Sequence, residues 1–349
     1  MRSKISFVVT SILVAIMLVL AVQVNYLIPQ PDDMVGQDIY YSFVEGQRLQ
    51  EGQNPYSRIL TGDMLQNHKY ATYFPVFYEL SSISEALGLR VFRDWMAFWR
   101  IVFMFFELAT ALLLQVAFAR RRLEWVGVLA VGFWLFNRWS LLVVQTENMD
   151  FIPIFFLLLS LELFPRRKGL SLFAFGVSLG FKQIAIFLLP LYLIWIYRSS
   201  AREWVKSMAS GLVLVGSVPF VAALPFLFWD AKGFVKSVLF SVTRVSDSLL
   251  STKAIDSLLG WTGPMARIVM FAFLLLAYLV VWRGHGEKYV ACLIVMLVFI
   301  AFNTSLFGQY QLWSFALAPL VFCDLYELAR RSRAGPAGPH ETSPLTPLG

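Results

Sequence analysis

Residues 5–27 read ISFVVTSILVAIMLVLAVQVNYL, an apolar run without a single charge. A helix needs roughly 20 such residues to cross the hydrocarbon core of a bilayer. Arg2 and Lys4 ahead of the run give it the look of a signal peptide. The run is longer than an ordinary h-region, however, and no small-x-small cleavage site follows, so it is read as an uncleaved first span. That reading decides the fold, because runs of the same kind recur along the chain.

The 349 residues are 58% hydrophobic and only 15% charged, with a mean hydropathy of +0.66. A soluble domain cannot hide that much apolar surface, so the class expected is a polytopic all-α membrane protein. The 32 Phe and 11 Trp suit lipid-facing and interfacial positions. Net charge is +7, but the basic residues sit in short clusters between apolar runs, which speaks for topology control and against nucleic-acid binding. Cys292 and Cys323 both lie inside apolar runs, which speaks against a disulfide or a zinc site.

The expected spans number about ten: Ile5–Leu27, Ala97–Ala119, Trp125–Val144, Phe151–Phe164, Gly169–Phe181, Ile184–Tyr197, Ser207–Phe228, Met265–Trp282, Tyr289–Phe302 and Leu312–Leu328. With the N-terminus inside, Arg120-Arg121-Arg122, Arg166-Arg167-Lys168, Arg198/Arg202/Lys206, Arg283/Lys288 and Arg330-Arg331/Arg333 all fall on the cytoplasmic side, as the positive-inside rule requires. The expected organisation is one integral membrane domain over 1–330 and a disordered cytoplasmic tail over 331–349. The outer face then carries two long loops, 28–96 and 229–264, and several short polar turns. Tyr70–Leu89, apolar but holding Pro75, Glu79 and Glu85, reads as interfacial or re-entrant.

The first outer loop contains GQDIYYSFVEGQRLQEGQNPY, residues 36–56. Asp38–Glu51 has the pattern of a helix, with Gly52 as its C-cap and Asn54-Pro55 as its stop. Ile39, Tyr40, Phe43 and Val44 make an apolar stripe suited to the bilayer surface. Asp38 reads equally as the N-cap of that helix or as a catalytic carboxylate. QTENMD, 145–150, is either a solvated turn or a cavity rim carrying Glu147 and Asp150. Lys182 and Gln183 sit between two short apolar helices, where a lysine either snorkels to the headgroups or holds a lipid-linked phosphate. Gln309 and Tyr310 in the last outer turn fit a sugar or the interfacial aromatic belt. No P-loop, dinucleotide fingerprint, HExxH or GxSxG is present, and the three His, at 68, 285 and 340, leave no His-rich metal site.

In order and spacing these pieces resemble the GT-C superfamily of membrane glycosyltransferases. They are similar in particular to the polyprenol-phosphate-mannose-dependent mannosyltransferases, bacterial and of the GPI type. Asp38 precedes an amphipathic helix and a Gly-x-x-Pro-Tyr turn ending at Tyr56. YATYFPVFYEL (70–80), QTENMDFIPIFFLLLSL (145–161), GVSLGFKQIAIFLLPLYLI (176–194) and FGQYQLWSFALAPLVF (307–322) take the places of the later elements. The resemblance implies a GT-C-like bundle with amphipathic juxtamembrane helices. It implies a hexose, mannose foremost, moved from a polyprenyl-phosphate donor to a hydroxyl of a glycan or glycolipid acceptor, in cell-envelope glycan biosynthesis. Asp38 would be the general base of an inverting transfer. Lys182 would face the phosphate, with Arg138 and Arg244 as further outer cations. Gln183, Glu147, Asp150, Tyr56, Gln309 and Tyr310 would line the substrates. No cofactor is implied, a divalent cation is left open, and the setting is a plasma membrane with both termini cytoplasmic. Some relatives carry a His in the last outer turn where this chain has Gln309 and Tyr310. Asp32 and Asp33 are rival bases. The competing functions are a secondary transporter or flippase of a lipid-linked or polar substrate and a noncatalytic membrane subunit.

Overall fold

The computed structural model describes residues 2–28, 34–63, 68–200, 202–243, 254–261, 264–303 and 307–333. The described residues form helices joined by turns, without strands. Among the described residues, four helices are long and apolar enough to cross a membrane: Ile5–Leu27, Phe92–Ala119, Trp204–Phe240 and Gly308–Arg333. A fifth crossing is available if Glu124–Phe136 and Arg138–Thr146, bent by 42°, count as one span. Of the remaining five expected spans, four are apolar helices of 10–17 residues and the fifth, Pro264–Trp282, has 19. A 13-residue helix rises about 20 Å, short of the roughly 30 Å hydrocarbon core. The structure thus shows four or five full spans by length and composition, and ten are not shown.

The first helix, α1 (Arg2–Leu27), leaves Ile5, Phe7, Ile12 and Val19 more than half exposed. A stripe of that kind belongs in lipid rather than in water. The first outer loop then folds into two short helices, α2 (Asp38–Gln50) and α3 (Val76–Ala86), which pack on each other and on the start of α4 (Phe92–Ala119). Gly46 makes this possible. A Cβ there would stand 2.3 Å from Ser81 Oγ and 2.5 Å from Glu85 Oε1, so only glycine lets α2 and α3 come this close. Phe43 meets Trp95 at 5.5 Å and Phe77 meets Trp99 at 4.8 Å between ring centres, which fixes the pair to α4. α2 ends as its sequence demands: Gly52 takes a positive φ of 72° and Asn54 Oδ1 accepts the Tyr56 N–H at 3.0 Å.

Beyond α4 come α5 (Glu124–Phe136) and α6 (Arg138–Thr146), with Asn137 at the bend accepting the N–H groups of Trp139 and Ser140. The antiparallel helices α7 (Phe151–Leu163) and α8 (Lys168–Phe181), a 3₁₀ turn over Gln183–Leu188, and α9 (Leu189–Ser199) follow. α10 (Trp204–Thr243) carries Pro219 and Pro225 and breaks at Asp230, whose Oδ1 accepts the Gly233 N–H at 3.0 Å. Its second half thus makes part of the expected outer loop 229–264 helical, and packs on the 3₁₀ turn Ser57–Leu60. The rest comprises α11 (Ile255–Leu258), α12 (Pro264–Trp282), α13 (Lys288–Ala301), α14 (Gly308–Leu317) and α15 (Val321–Arg333). α15 takes residues 331–333 into a helix; the rest of the expected tail, 334–349, lies outside the described residues.

The bundle has two chemically different ends. At one, Arg121 after α4 reaches Glu162 near the end of α7 (3.4 Å), Glu327 in α15 (3.0 Å) and the Tyr289 hydroxyl at the start of α13 (3.4 Å). Asp324 accepts the N–H groups of Tyr289 and Val290 there, at 2.6 and 2.9 Å. The other end gathers the starts of α2, α7 and α14 with the end of α8, and there the singled-out polar residues meet.

Candidate active site

Asp38 opens α2 but does not cap it. Gln37 is the N-cap, extended at φ −77°, ψ 149°, and makes no side-chain cap bond. The Asp38 carboxylate turns instead toward a cavity of about 390 Å³. Lys69 Nζ donates to its Oδ1 at 2.8 Å, while the Tyr73 hydroxyl and Gln309 Nε2 donate to Oδ2 at 3.1 and 3.3 Å. A carboxylate offers about four lone-pair positions, so the open one lies on Oδ1. Burial alone raises the carboxyl pKa, but the Lys69 charge and hydrogen bond, then Lys182 and Gln309, outweigh it and hold Asp38 below its ordinary range. The group is an ionised acceptor with the side chain still 29% exposed. The neighbouring Tyr73 phenol is pushed far up, first by burial and then by the Asp38 charge, and stays a donor.

The support runs through three elements distant in sequence. Gln309, in the first turn of α14, accepts from Asn148 Nδ2 at 2.9 Å, and Asn148 also holds Thr146 Oγ1 at 2.9 Å. Asn148 follows Glu147, whose backbone is left-handed at φ 52°, an unusual state for a non-glycine residue. Glu147 itself is buried off the cavity and paired with Arg100 at 3.1 Å.

Lys182 stands where α8 stops, in extended backbone before the 3₁₀ turn. It does not snorkel. Its side chain is 1% exposed, with Nζ 2.9 and 2.8 Å from the two carboxylate oxygens of the fully buried Asp150. Trp313 Nε1 donates to Asp150 at 2.7 Å, and the rings of Tyr73 and Tyr310 lie 5.0 and 5.3 Å from the ammonium. Asp150 thus balances Lys182, leaving a charged pair walled off by aromatics. Gln183 donates to the Thr72 carbonyl at 2.7 Å, and its buried Oε1 has no hydrogen-bond partner.

The cavity is lined by polar side chains, among them Asp38, Lys69, Gln183, Arg267 and Asn303, and by apolar ones, among them Ile186, Phe187, Val238, Met270 and Phe299. Of the residues singled out from sequence, Asp38, Lys182, Gln183 and Tyr310 line it, and Gln309 touches it through Asp38. Asp150 stands behind Lys182. Tyr56 lies off the cavity, fully buried against Phe226 and Phe234, and its hydroxyl donates to the Tyr73 carbonyl at 2.9 Å. Arg138 is exposed on the Trp139 ring. Arg244, Asp32 and Asp33 lie outside the described residues. Lys69, Tyr73, Asn148 and Arg267 were not foreseen. Lys69 immediately precedes the 70–80 element and Tyr73 lies within it, but nothing in local spacing ties them to a carboxylate 31 and 35 residues earlier. Among the described residues no three His, Cys, Asp or Glu side chains converge as a metal set.

No protein-family model matches the chain, and no curated protein matches it.

Proposed function

We propose that this chain is an integral membrane glycosyltransferase that moves a hexose, mannose foremost, from a polyprenyl-phosphate donor to an acceptor hydroxyl with inversion. The observation that carries the reading is the cavity itself. An ionised carboxylate with an open lone pair faces a cavity lined by both polar and apolar side chains. A polyprenyl-phosphate sugar is amphiphilic in the same way, with sugar and phosphate at one end and an isoprenoid chain at the other. Asp38 Oδ1 takes the acceptor proton as the hydroxyl oxygen attacks the anomeric carbon. Base assistance of this kind typically contributes about 10²–10⁴-fold. Gln183 lines the same cavity and brings an amide to the site that suits a sugar hydroxyl.

In the membrane, the short apolar helices cross within the bundle, where protein rather than lipid surrounds their ends. The Arg121 end is the cytoplasmic one, as the basic clusters beside it favour, and the Asp38 cavity opens on the opposite face. The test is transfer of labelled mannose from a polyprenyl-phosphate donor by the purified full chain in nanodiscs, with a membrane-lipid extract supplying acceptors. Label should appear in the acceptor lipids. No transfer from either mannosyl or glucosyl polyprenyl phosphate would overturn the reading.

A further inference from the structure

A phosphate leaving group needs positive charge beside it as charge develops. The resemblance assigned that task to Lys182, but Asp150 holds the Lys182 ammonium with both carboxylate oxygens, and the two side chains are 1% and 0% exposed. Releasing Lys182 toward a substrate would strand a buried carboxylate, which is expensive. Lys69 also lines the cavity, and its side chain is partly exposed, at 28%, with Nζ 2.8 Å from Asp38 Oδ1. Its backbone is left-handed at φ 54°, a state unfavourable for a non-glycine residue. Lys69 is therefore held in a particular place by its surroundings, on the same carboxylate oxygen that has the open lone pair.

We infer that Lys69 is handed from Asp38 to the donor phosphate during the reaction, so that one ammonium serves the resting base and then the leaving group. This rests on the proposed glycosyl transfer. The charges balance at each step. The acceptor O–H gives its proton to Asp38 Oδ1 and its oxygen bonds to the anomeric carbon. The bond from that carbon to the phosphate oxygen breaks, and its electron pair stays on the phosphate. The phosphodiester monoanion becomes a phosphate monoester dianion while Asp38 becomes neutral. The negative charge that leaves the carboxylate is the charge that appears on the phosphate. Lys69 keeps an anion beside it throughout, and its pull on the phosphate grows along the reaction path, which is what accelerates a chemical step.

The handover makes Asp38 and the phosphate competitors for Lys69, so binding of the product headgroup reports on it directly. The probe is a fluorescent isoprenyl phosphate titrated into the full chain in nanodiscs of zwitterionic lipid. Asp38→Asn should tighten binding by about threefold or more, because the competing charge is gone. Lys69→Gln should weaken it about tenfold, Lys69→Arg should bind within about threefold of wild type, and the double variant should resemble Lys69→Gln (energies of about 0.7 and 1.4 kcal/mol at RT of about 0.59 kcal/mol). A merely structural role for Lys69 would weaken or leave unchanged the binding by Asp38→Asn, and that result overturns the handover. So does unchanged binding by Lys69→Gln. Melting curves confirm that each variant is folded, with Lys69→Arg as the conservative control. Loss of transfer and of isoprenyl-phosphate binding by the wild type would instead overturn the donor assignment, which separates the two failures.

Discussion

Lys182 Nζ sits 2.9 and 2.8 Å from the two carboxylate oxygens of Asp150, and both side chains are almost wholly buried. The pair joins the end of α8 to the start of α7 and is the charged keystone of the site's rear wall. Removing one member strands the other in a place water cannot reach. Lys182→Met should lower stability by about 3–5 kcal/mol. Lys182→Met with Asp150→Leu should recover most of that loss, because a buried pair replaced by apolar side chains is often neutral. Thermal unfolding of the three proteins in one detergent checks the ordering.

The downward shift of Asp38 sets a pH window. A carboxylate whose folded pKa lies below its ordinary 3.8 contributes stability that is present above 3.8 and lost as pH falls through the folded value. By the same sign, the base stays ionised through the neutral range. The acid limb of kcat/KM that belongs to Asp38 should fall below about pH 4. Lys69→Gln removes the chief charge holding it there and should move that limb upward. A pH profile of both proteins reads the shift.

Glu85 behaves in the opposite sense. Burial in α3 raises it to about 7 despite the Ser81 hydroxyl, 3.4 Å away. A raised carboxyl favours the folded state fully below its ordinary 4.5, and that contribution is lost as pH rises through about 7. Glu85→Gln keeps the neutral shape at every pH. The variant should melt above wild type at pH 8 and with it at pH 4, a difference that paired melting curves resolve.

How far the sequence alone reaches is visible in particular residues. Asp38 was legible because Gly52 and Asn54-Pro55 fix the end of its helix and so the spacing to the turn. Its N-cap reading was open in the sequence, and it fell because the carboxylate's partners come from residues 69, 73 and 309. Such partners depend on how loops fold over the bundle, which no local pattern encodes. Asp150 and Lys182 were both singled out, each as a contact for substrate. Their mutual pairing follows from the packing of α7 against α8, 32 residues apart in the chain. Apolar runs located the helices, yet four of the ten expected spans are helices of no more than 17 residues. Hydropathy reports what a segment is made of, while its helical length is set by where Asn137, Lys182 and Asp230 interrupt the backbone.

Gly46 tests the claim that close packing of α2 on α3 positions Asp38. Gly46→Ala places a methyl group 2.3 Å from Ser81 Oγ, and Ser81 is fully buried. Overpacking of this kind costs about 1–3 kcal/mol. Both the melting temperature and the transfer rate should drop, and Gly46→Ala with Ser81→Gly should restore both in part.

The central claim is that Asp38 takes the acceptor proton. Its most direct test is the rate of hexose transfer from polyprenyl phosphate by Asp38→Asn, measured beside its melting temperature and its binding of isoprenyl phosphate. The account predicts a loss of about 10²–10⁴ in kcat with the fold retained and phosphate binding tightened by about threefold or more. Transfer at the wild-type rate by a folded Asp38→Asn protein would contradict it.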